Sequence, residues 1–380
     1  MIQVAAAIII AYLVTFFLMP FIIKMARQSR IYDVPDERKT HTYLISSLGG
    51  IGLFAGLALS LLLTSDLKSN NAEFQYHLAA FFVIFTIGVV DDIFVLRAWK
   101  KLVGQLVTAT IIIVKGHLVI SSLAGFMGVY QLSPLAGYII SFFVIMLVIN
   151  AFNLIDGIDG LAASLGLVSS VIFSLFFLIN QNYPYAILGF ALAGALLAFL
   201  VFNFHPAKIF MGDSGSMLIG LVNAILFLKF INTGSVVTDY PVKAAPLVGF
   251  GILIIPLMDV LRVFCIRLAK GKSPFSPDRN HIHHLLLNKG CSHAQATLLL
   301  LGSSLVFAGV SFIYMGININ ALLAVQSIMF FVGFFLVYYF GSRKKYLRVV
   351  SRRSEKAGAA NSVQVFSLFH ENEKSVVKEE

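Results

Sequence analysis

Phe142-Phe-Val-Ile-Met-Leu-Val-Ile-Asn150-Ala-Phe-Asn-Leu-Ile-Asp-Gly-Ile-Asp-Gly160 is the stretch whose reading decides the fold. An uncharged apolar run ends abruptly in Asn150, Asn153, Asp156 and Asp159. Extended upstream to residue 135, the run is close to the roughly 20 apolar residues that cross a bilayer. Ten further runs of this kind lie at 2–23, 46–64, 77–93, 102–120, 161–179, 185–202, 216–232, 245–264, 296–314 and 319–340. The expected fold is an all-α, polytopic membrane bundle of about eleven spans, residues 1–340, followed by a basic tail at 341–380 that turns acidic near its end.

Composition agrees. The chain has 380 residues, 58% hydrophobic and 12% charged, whereas a soluble domain carries about 25% charged residues. A soluble enzyme is excluded, and the apolar runs are too long for the strands of an outer-membrane barrel. Cys265 and Cys291 show no ligand spacing and are read as free thiols. The first residues lack the basic segment of a signal peptide, so 2–23 is read as a retained span.

Charge placement gives an orientation. With the N-terminus outside, the inner loops and tail, together with Arg262 at the inner end of its span, hold 24 of the 28 Lys and Arg, all but Lys68, Lys115, Lys229 and Lys243. Basic residues accumulate in cytoplasmic segments, so the loops at 24–45, 91–101, 153–160, 203–215 and 265–295 are expected inside. The fourth span contains Lys115, and the stretch 116–134 beyond it has room for an interfacial helix.

The same topology gathers the unusual polar clusters on the inner face. Asp91 and Asp92 end the run Phe81–Val90, with Lys100 and Lys101 about two turns on. Adjacent carboxylates there are either solvated at the interface, or hold a divalent cation, or act as a base raised by its neighbour. The DDxxD metal motif of prenyl-chain synthases is absent, because Val95 takes its last position. The two lysines either neutralise phosphate or snorkel to the membrane surface. Asn153, Asp156 and Asp159 are three apart and, on a helix, would share one face; otherwise they belong to a glycine-rich loop. Gly212-Asp213-Ser-Gly-Ser216 precedes an apolar run. It is therefore a helix cap, or a metal-ligating carboxylate beside a phosphate-binding N-terminus. Ser46-Ser-Leu-Gly-Gly50 is a weaker cradle of that kind. His281, His283 and His284 lie among Lys272, Arg279 and Lys289 and lack the frame of a zinc site. Imidazoles among cations suit a phosphate or nucleotide better. Asp259 and Arg262, one turn apart, read as a helix ion pair. His41 beside Arg38 and Lys39 is ambiguous. Acids for a hard cation, bases for phosphates and a lipid setting point to phosphoryl transfer between a nucleotide substrate and a lipid. An ion-coupled transporter is the rival, but transporters place such groups near the midplane, and here they share one face.

Three segments then carry a resemblance: Asn150-Ala-Phe-Asn-Leu-Ile-Asp-Gly-Ile-Asp-Gly160, Pro206-Ala-Lys-Ile-Phe-Met-Gly-Asp-Ser-Gly-Ser216 and Lys270-Gly-Lys-Ser-Pro-Phe-Ser-Pro-Asp-Arg-Asn-His-Ile-His-His284. Together the clusters from Asp33 to His284 resemble the polyprenyl-phosphate N-acetylhexosamine-1-phosphate transferases, which move a sugar-1-phosphate from a UDP-sugar to a lipid phosphate. The third segment is similar to the WecA-type branch, which uses UDP-N-acetylglucosamine and undecaprenyl phosphate to begin surface-polysaccharide synthesis. The branch that takes UDP-N-acetylmuramoyl-pentapeptide has three consecutive histidines, which Ile282 interrupts here. The resemblance implies catalytic roles for Asp91, Asp92, Asp156 and Asp159, one of the first pair as base. It implies Mg²⁺, with Mn²⁺ as a substitute, held by Asp213 and Asn153. Substrate contacts are implied for Lys101, Asn203, His281, His283, His284, Arg38 and Lys39. It places the active site at the cytoplasmic face of a bacterial inner membrane, needs no nucleic acid, and leaves a homodimer and another UDP-N-acetylhexosamine open.

Overall fold

The computed structural model describes residues 1–28, 45–65, 73–234, 240–271 and 280–340. Arg38, Lys39, His41 and the tail from 341 lie outside the described residues. The helices are α1 (Ile2–Gln28), α2 (Gly49–Thr64), α3 (Glu73–Phe94), α4 (Ala98–Thr110), α5 (Pro134–Ile155), α6 (Leu161–Ile179) and α7 (Tyr183–Asn203). They continue as α8 (Gly212–Gly234), α9 (Ala245–Ile252), α10 (Ile254–Ala269), α11 (Ile282–Asn288), α12 (His293–Ile313) and α13 (Ile319–Phe340). A π-helical turn, Ile111–Lys115, prolongs α4, and two short strands, β1 (Ser122–Phe126) and β2 (Val129–Gln131), pair antiparallel.

The protein is a polytopic all-α membrane bundle. Among the described residues eight helices are long and apolar enough to cross a bilayer, or nine if α9 and α10 are one bent span. Each of the eleven expected positions contains helix, but α2 has 16 residues and α4 has 13 before its π turn, short of the roughly 20 that a span needs.

Two expectations are corrected. The span at 245–264 is broken, with α9 and α10 meeting at 84°. Pro256 has no N–H to offer the Ile252 carbonyl, which removes one rung of the helix ladder beside the bend. The stretch 116–134 holds the β1–β2 hairpin rather than an interfacial helix. Ala124, Gly125, Met127 and Gly128 all have left-handed φ, which no helix tolerates in series. The Met127 amide donates to Asn320 Oδ1 at 2.9 Å, tying the hairpin to the start of α13.

The centre of the bundle is α8, whose apolar window is 94% buried. It packs against α2, α3, α5, α6, α7 and α9. A helix hydrophobic on every side must sit inside others. Where α3 crosses α8, Gly88 faces the backbone, and a Cβ there would stand 2.6 Å from the Ser214 amide nitrogen. Small residues permit this close approach in membrane bundles. The crossing sets the C-terminal end of α3, with Asp91 and Asp92, against the N-terminal end of α8, with Asp213. The C-terminal ends of α5 and α7 arrive at the same place.

Candidate active site

A pocket of ≈ 440 Å³ opens at this junction. Its lining includes Asp91, Asp92, Lys101, Asn153, Asp156, Asp159, Asn203, Asp213 and His284. Among the described residues, five carboxylates and one ammonium line it.

At the centre, Lys101 bridges two helix ends. Its Nζ lies 2.6 Å from Asp213 Oδ2 and also pairs with Asp91 Oδ2. Asp91 Oδ1 accepts the Leu96 amide at 2.5 Å. Asp213 Oδ1 accepts from Asn153 Nδ2 at 2.5 Å, and the same amide donates to Ser216 Oγ at 3.0 Å. Residues 91, 101, 153 and 213 thus form one connected group although they come from four different helices.

Asp92 does something else. Its carboxylate accepts the Asp213 amide at 2.7 Å, the Ser214 amide at 3.1 Å and Ser214 Oγ at 2.6 Å. It caps α8 from another helix, matching negative charge to the positive end of the dipole. Two sequence readings fail for the same reason. The α8 N-terminus does not offer the Asp213 and Ser214 amides to phosphate, because Asp92 takes them. The Ser46–Gly50 cradle is likewise closed, because the Gly49 and Gly50 amides donate to the Phe210 and Met211 carbonyls at 2.9 and 2.8 Å.

Asn153, Asp156 and Asp159 do not share a helical face, because α5 stops at Ile155 and Asp156 is its C-cap. Asp156 lies half-buried in the pocket wall. Burial, reinforced by the charges of Asp213, Asp92 and Asp159, pushes its carboxyl up to about 8. Asp159 turns the other way, its Oδ2 2.7 Å from His205 Nδ1 and its Oδ1 3.3 Å from His293 Nδ1. Burial raises its proton affinity, but the two imidazoles and the Ala207 amide outweigh burial and hold it at about 2. His205 and His293 escaped the sequence reading. The ligand atoms of Asp159, His205 and His293 lie within 4.8 Å of one another. His205 lies in the expected inner loop at 203–215, but His293 stands far along the chain.

Asn203 spends its amide on backbone, accepting from the Gly160 amide at 3.0 Å and donating to the Ile209 carbonyl at 2.9 Å. It joins the loop after α5 to the loop before α8. Of the three histidines only His284 lines the pocket. His281 Nδ1 is 2.7 Å from Asp259 Oδ2. His283 is buried, with neither ring nitrogen hydrogen-bonded among the described residues. Burial, with His284 beside it, lowers its proton affinity to about 3, so at neutral pH it is an uncharged imidazole. Cys265 and Cys291 are free thiols.

Oxygen donors dominate the group around Asp213. Carboxylates with an amide oxygen suit a hard divalent cation such as Mg²⁺ or Mn²⁺. Among the described residues, the excess of carboxylate over ammonium fits such a group.

Comparison with known proteins places this geometry. The model of the family described as "Glycosyl transferase family 4" matches residues 74–231. That stretch contains every residue lining the pocket except Ser47 and His284. A decaprenyl-phosphate N-acetylglucosaminephosphotransferase of Mycolicibacterium smegmatis is 33% identical over 311 residues, 76% of this chain and 77% of that protein. An undecaprenyl-phosphate alpha-N-acetylglucosaminyl 1-phosphate transferase of Escherichia coli K12 is 33% identical over 316 residues, 82% and 83% of the two chains. One of Mycobacterium tuberculosis H37Rv, named as the first, is 32% identical over 341 residues, 84% and 81%. A third of the residues is shared across most of each chain, and the acidic pocket lies almost wholly in the matched stretch: this chain belongs to glycosyl transferase family 4.

Proposed function

We infer that this chain transfers N-acetylglucosamine-1-phosphate from UDP-N-acetylglucosamine to undecaprenyl phosphate, releasing UMP, with Mg²⁺ as cofactor. The reaction takes place at the cytoplasmic face of a bacterial inner membrane and begins a surface polysaccharide. The observation that carries the reading is the Asp213–Lys101–Asp91–Asn153 group, at the meeting of four helix ends, in a chain of this family.

A phosphate oxygen of the lipid attacks the β-phosphorus of the nucleotide sugar. A new P–O bond forms, the bond between the β-phosphorus and the bridging oxygen breaks, and that oxygen leaves on UMP. A phosphate monoester loses its second proton near pH 6, so at neutral pH the acceptor is mostly a dianion. Little proton removal is therefore asked of a base; Asp91, beside Lys101, is the carboxylate of the pair left for it, since Asp92 is engaged as a cap. The harder task is to bring an anionic lipid against an anionic diphosphate in a pocket already rich in carboxylate. Asp213 and Asn153 would hold Mg²⁺, which when bound would supply positive charge for the phosphates. Lys101 holds Asp213 in place and lends its own charge to the developing phosphates. His284 and Asp156 border the space for the nucleotide. Such fixed charges account for much of the rate in phosphoryl transfer.

The test is nucleotide release by purified protein in lipid, given undecaprenyl phosphate, Mg²⁺ and a panel of UDP-sugars. UMP is expected with UDP-N-acetylglucosamine and only with lipid present. Release of UDP instead of UMP would mean glycosyl rather than sugar-phosphate transfer. Use of another UDP-N-acetylhexosamine alone would overturn the choice of sugar.

A further inference from the structure

Asp259 has no exposed surface, yet it is a carboxylate in the second half of the bent α9–α10 pair. The pairing with Arg262 read from sequence is present, Nη2 to Oδ1 at 2.9 Å. It is only part of what the residue does. Asp259 Oδ2 meets His281 Nδ1 at 2.7 Å, and Oδ1 accepts the Ile282 amide at 2.9 Å. Arg262 also donates to the Asn280 carbonyl and lies over the Phe334 ring at 4.6 Å. Three consecutive residues, 280 to 282, are thus gripped from α10 at the point where α11 begins.

A buried ion pair is weak evidence for stability, because desolvation offsets much of the attraction. What this arrangement fixes is where α11 starts and which way it points. The consequence reaches the pocket within one turn. His283 packs its ring on the loop after α5, where a Cβ at Gly157 would stand 2.7 Å from Cε1. His284 lines the pocket, as do Asp156 and Gly157. The ring of His281 lies nearly parallel to that of His283, centroids 5.7 Å apart and planes 8° apart.

We propose that Asp259 is a positioning residue for the histidine wall of the nucleotide pocket, acting through His281 and the first amide of α11, with Arg262 as its brace. The proposal rests on the functional reading above. It makes Asp259 the counterpart of Asp92, each being a carboxylate on one helix that caps another helix carrying pocket residues.

The experiment is steady-state kinetics of full-length protein in lipid, varying UDP-N-acetylglucosamine and undecaprenyl phosphate separately. Asp259→Asn keeps the size and one acceptor but removes the charge. It is expected to lower kcat/KM for the nucleotide sugar about 10- to 100-fold, the scale seen when a group that orients a functional side chain is lost. The KM for the lipid phosphate should stay near wild type. Adding Asp259→Asn to His281→Asn should cost clearly less than the product of the two single losses, since the pair acts partly as one unit while the Ile282 amide contact depends on Asp259 alone. Unchanged kinetics for Asp259→Asn, equal losses toward both substrates, or multiplicative losses in the double variant would overturn the proposal. If Asp259→Asn does not yield folded protein, Arg262→Lys gives the same readout, because one ammonium cannot serve Asp259 and the Asn280 carbonyl as a planar fork does. Wild-type kinetics for that variant would also overturn it. A wild type that turns over no UDP-sugar would instead overturn the functional reading, and this one with it.

Discussion

Asp92→Asn separates a cap from a base. The wild-type carboxylate accepts three hydrogen bonds from the start of α8, from the Asp213 amide, the Ser214 amide and Ser214 Oγ. An asparagine keeps one acceptor and turns an NH₂ toward groups that also donate. One or two charge-assisted bonds are lost, each worth about 1.5–3 kcal/mol net. Loss of negative charge at the helix N-terminus adds about 0.3–1 kcal/mol. The sum, roughly 2–7 kcal/mol, falls on the segment that carries Asp213. It should appear as a lowered Tm in lipid or detergent and as a weaker hold on the cation, with half-maximal Mg²⁺ raised about tenfold. Saturating Mg²⁺ should restore most of kcat. The assay is UMP release against Mg²⁺ concentration, beside thermal unfolding of the same preparation. Collapse of kcat at every Mg²⁺ concentration, with Tm and half-maximal Mg²⁺ unchanged, would refute the cap and make Asp92 the chemical base.

Three further outcomes follow from the same geometry. Asp156, held near 8 when folded against about 3.9 in an unfolded chain, binds more protons folded than unfolded between those values. Its contribution to stability is therefore full below pH 4 and lost as pH rises toward 8. In chelator-treated protein Asp156→Asn should raise Tm more at pH 9 than at pH 5, and a uniform shift would contradict the assignment. Lys101→Met leaves Asp91 and Asp213 facing each other without their shared cation, and UMP release should fall about 10²-fold or more; activity within a few-fold of wild type would count against its place in the pocket. Gly88→Ala forces α3 away from the Ser214 backbone, at a cost of about 1–3 kcal/mol, and should lower Tm and raise the Mg²⁺ requirement together. A change in neither would mean that the α3–α8 crossing does not set the distance between Asp92 and Asp213.

The sequence was most informative where chemistry and helix ends coincide. Asp91, Lys101, Asn153 and Asp213 are each legible as a polar break in or beside an apolar run, and the fold brings them within hydrogen-bond reach. What stayed hidden depends on partners far along the chain. Nothing near Asp92 reveals that its acceptors are occupied by residues 213 and 214, or that Asp159 is turned aside by His205 and His293. Asn203 reads as a polar residue at a span's end, and only the structure shows both ends of its amide spent on backbone. Spacing misled at Asp156 and Asp159, because three-residue periodicity means a common face only while the helix lasts, and α5 ends at Ile155. The break between α9 and α10 was available in Pro256, but hydropathy alone ran over it.

The central claim, that this acidic junction holds a divalent cation through Asp213 to transfer a sugar phosphate, is tested most directly by Mn²⁺ binding. Electron paramagnetic resonance would follow Mn²⁺ titrated into wild-type and Asp213→Asn protein in lipid nanodiscs, with UMP release measured on the same samples. The predicted result is a bound Mn²⁺ in wild type that supports UMP release, and loss of both in folded Asp213→Asn. Equal Mn²⁺ binding by the variant, with near-normal UMP release, would contradict the claim.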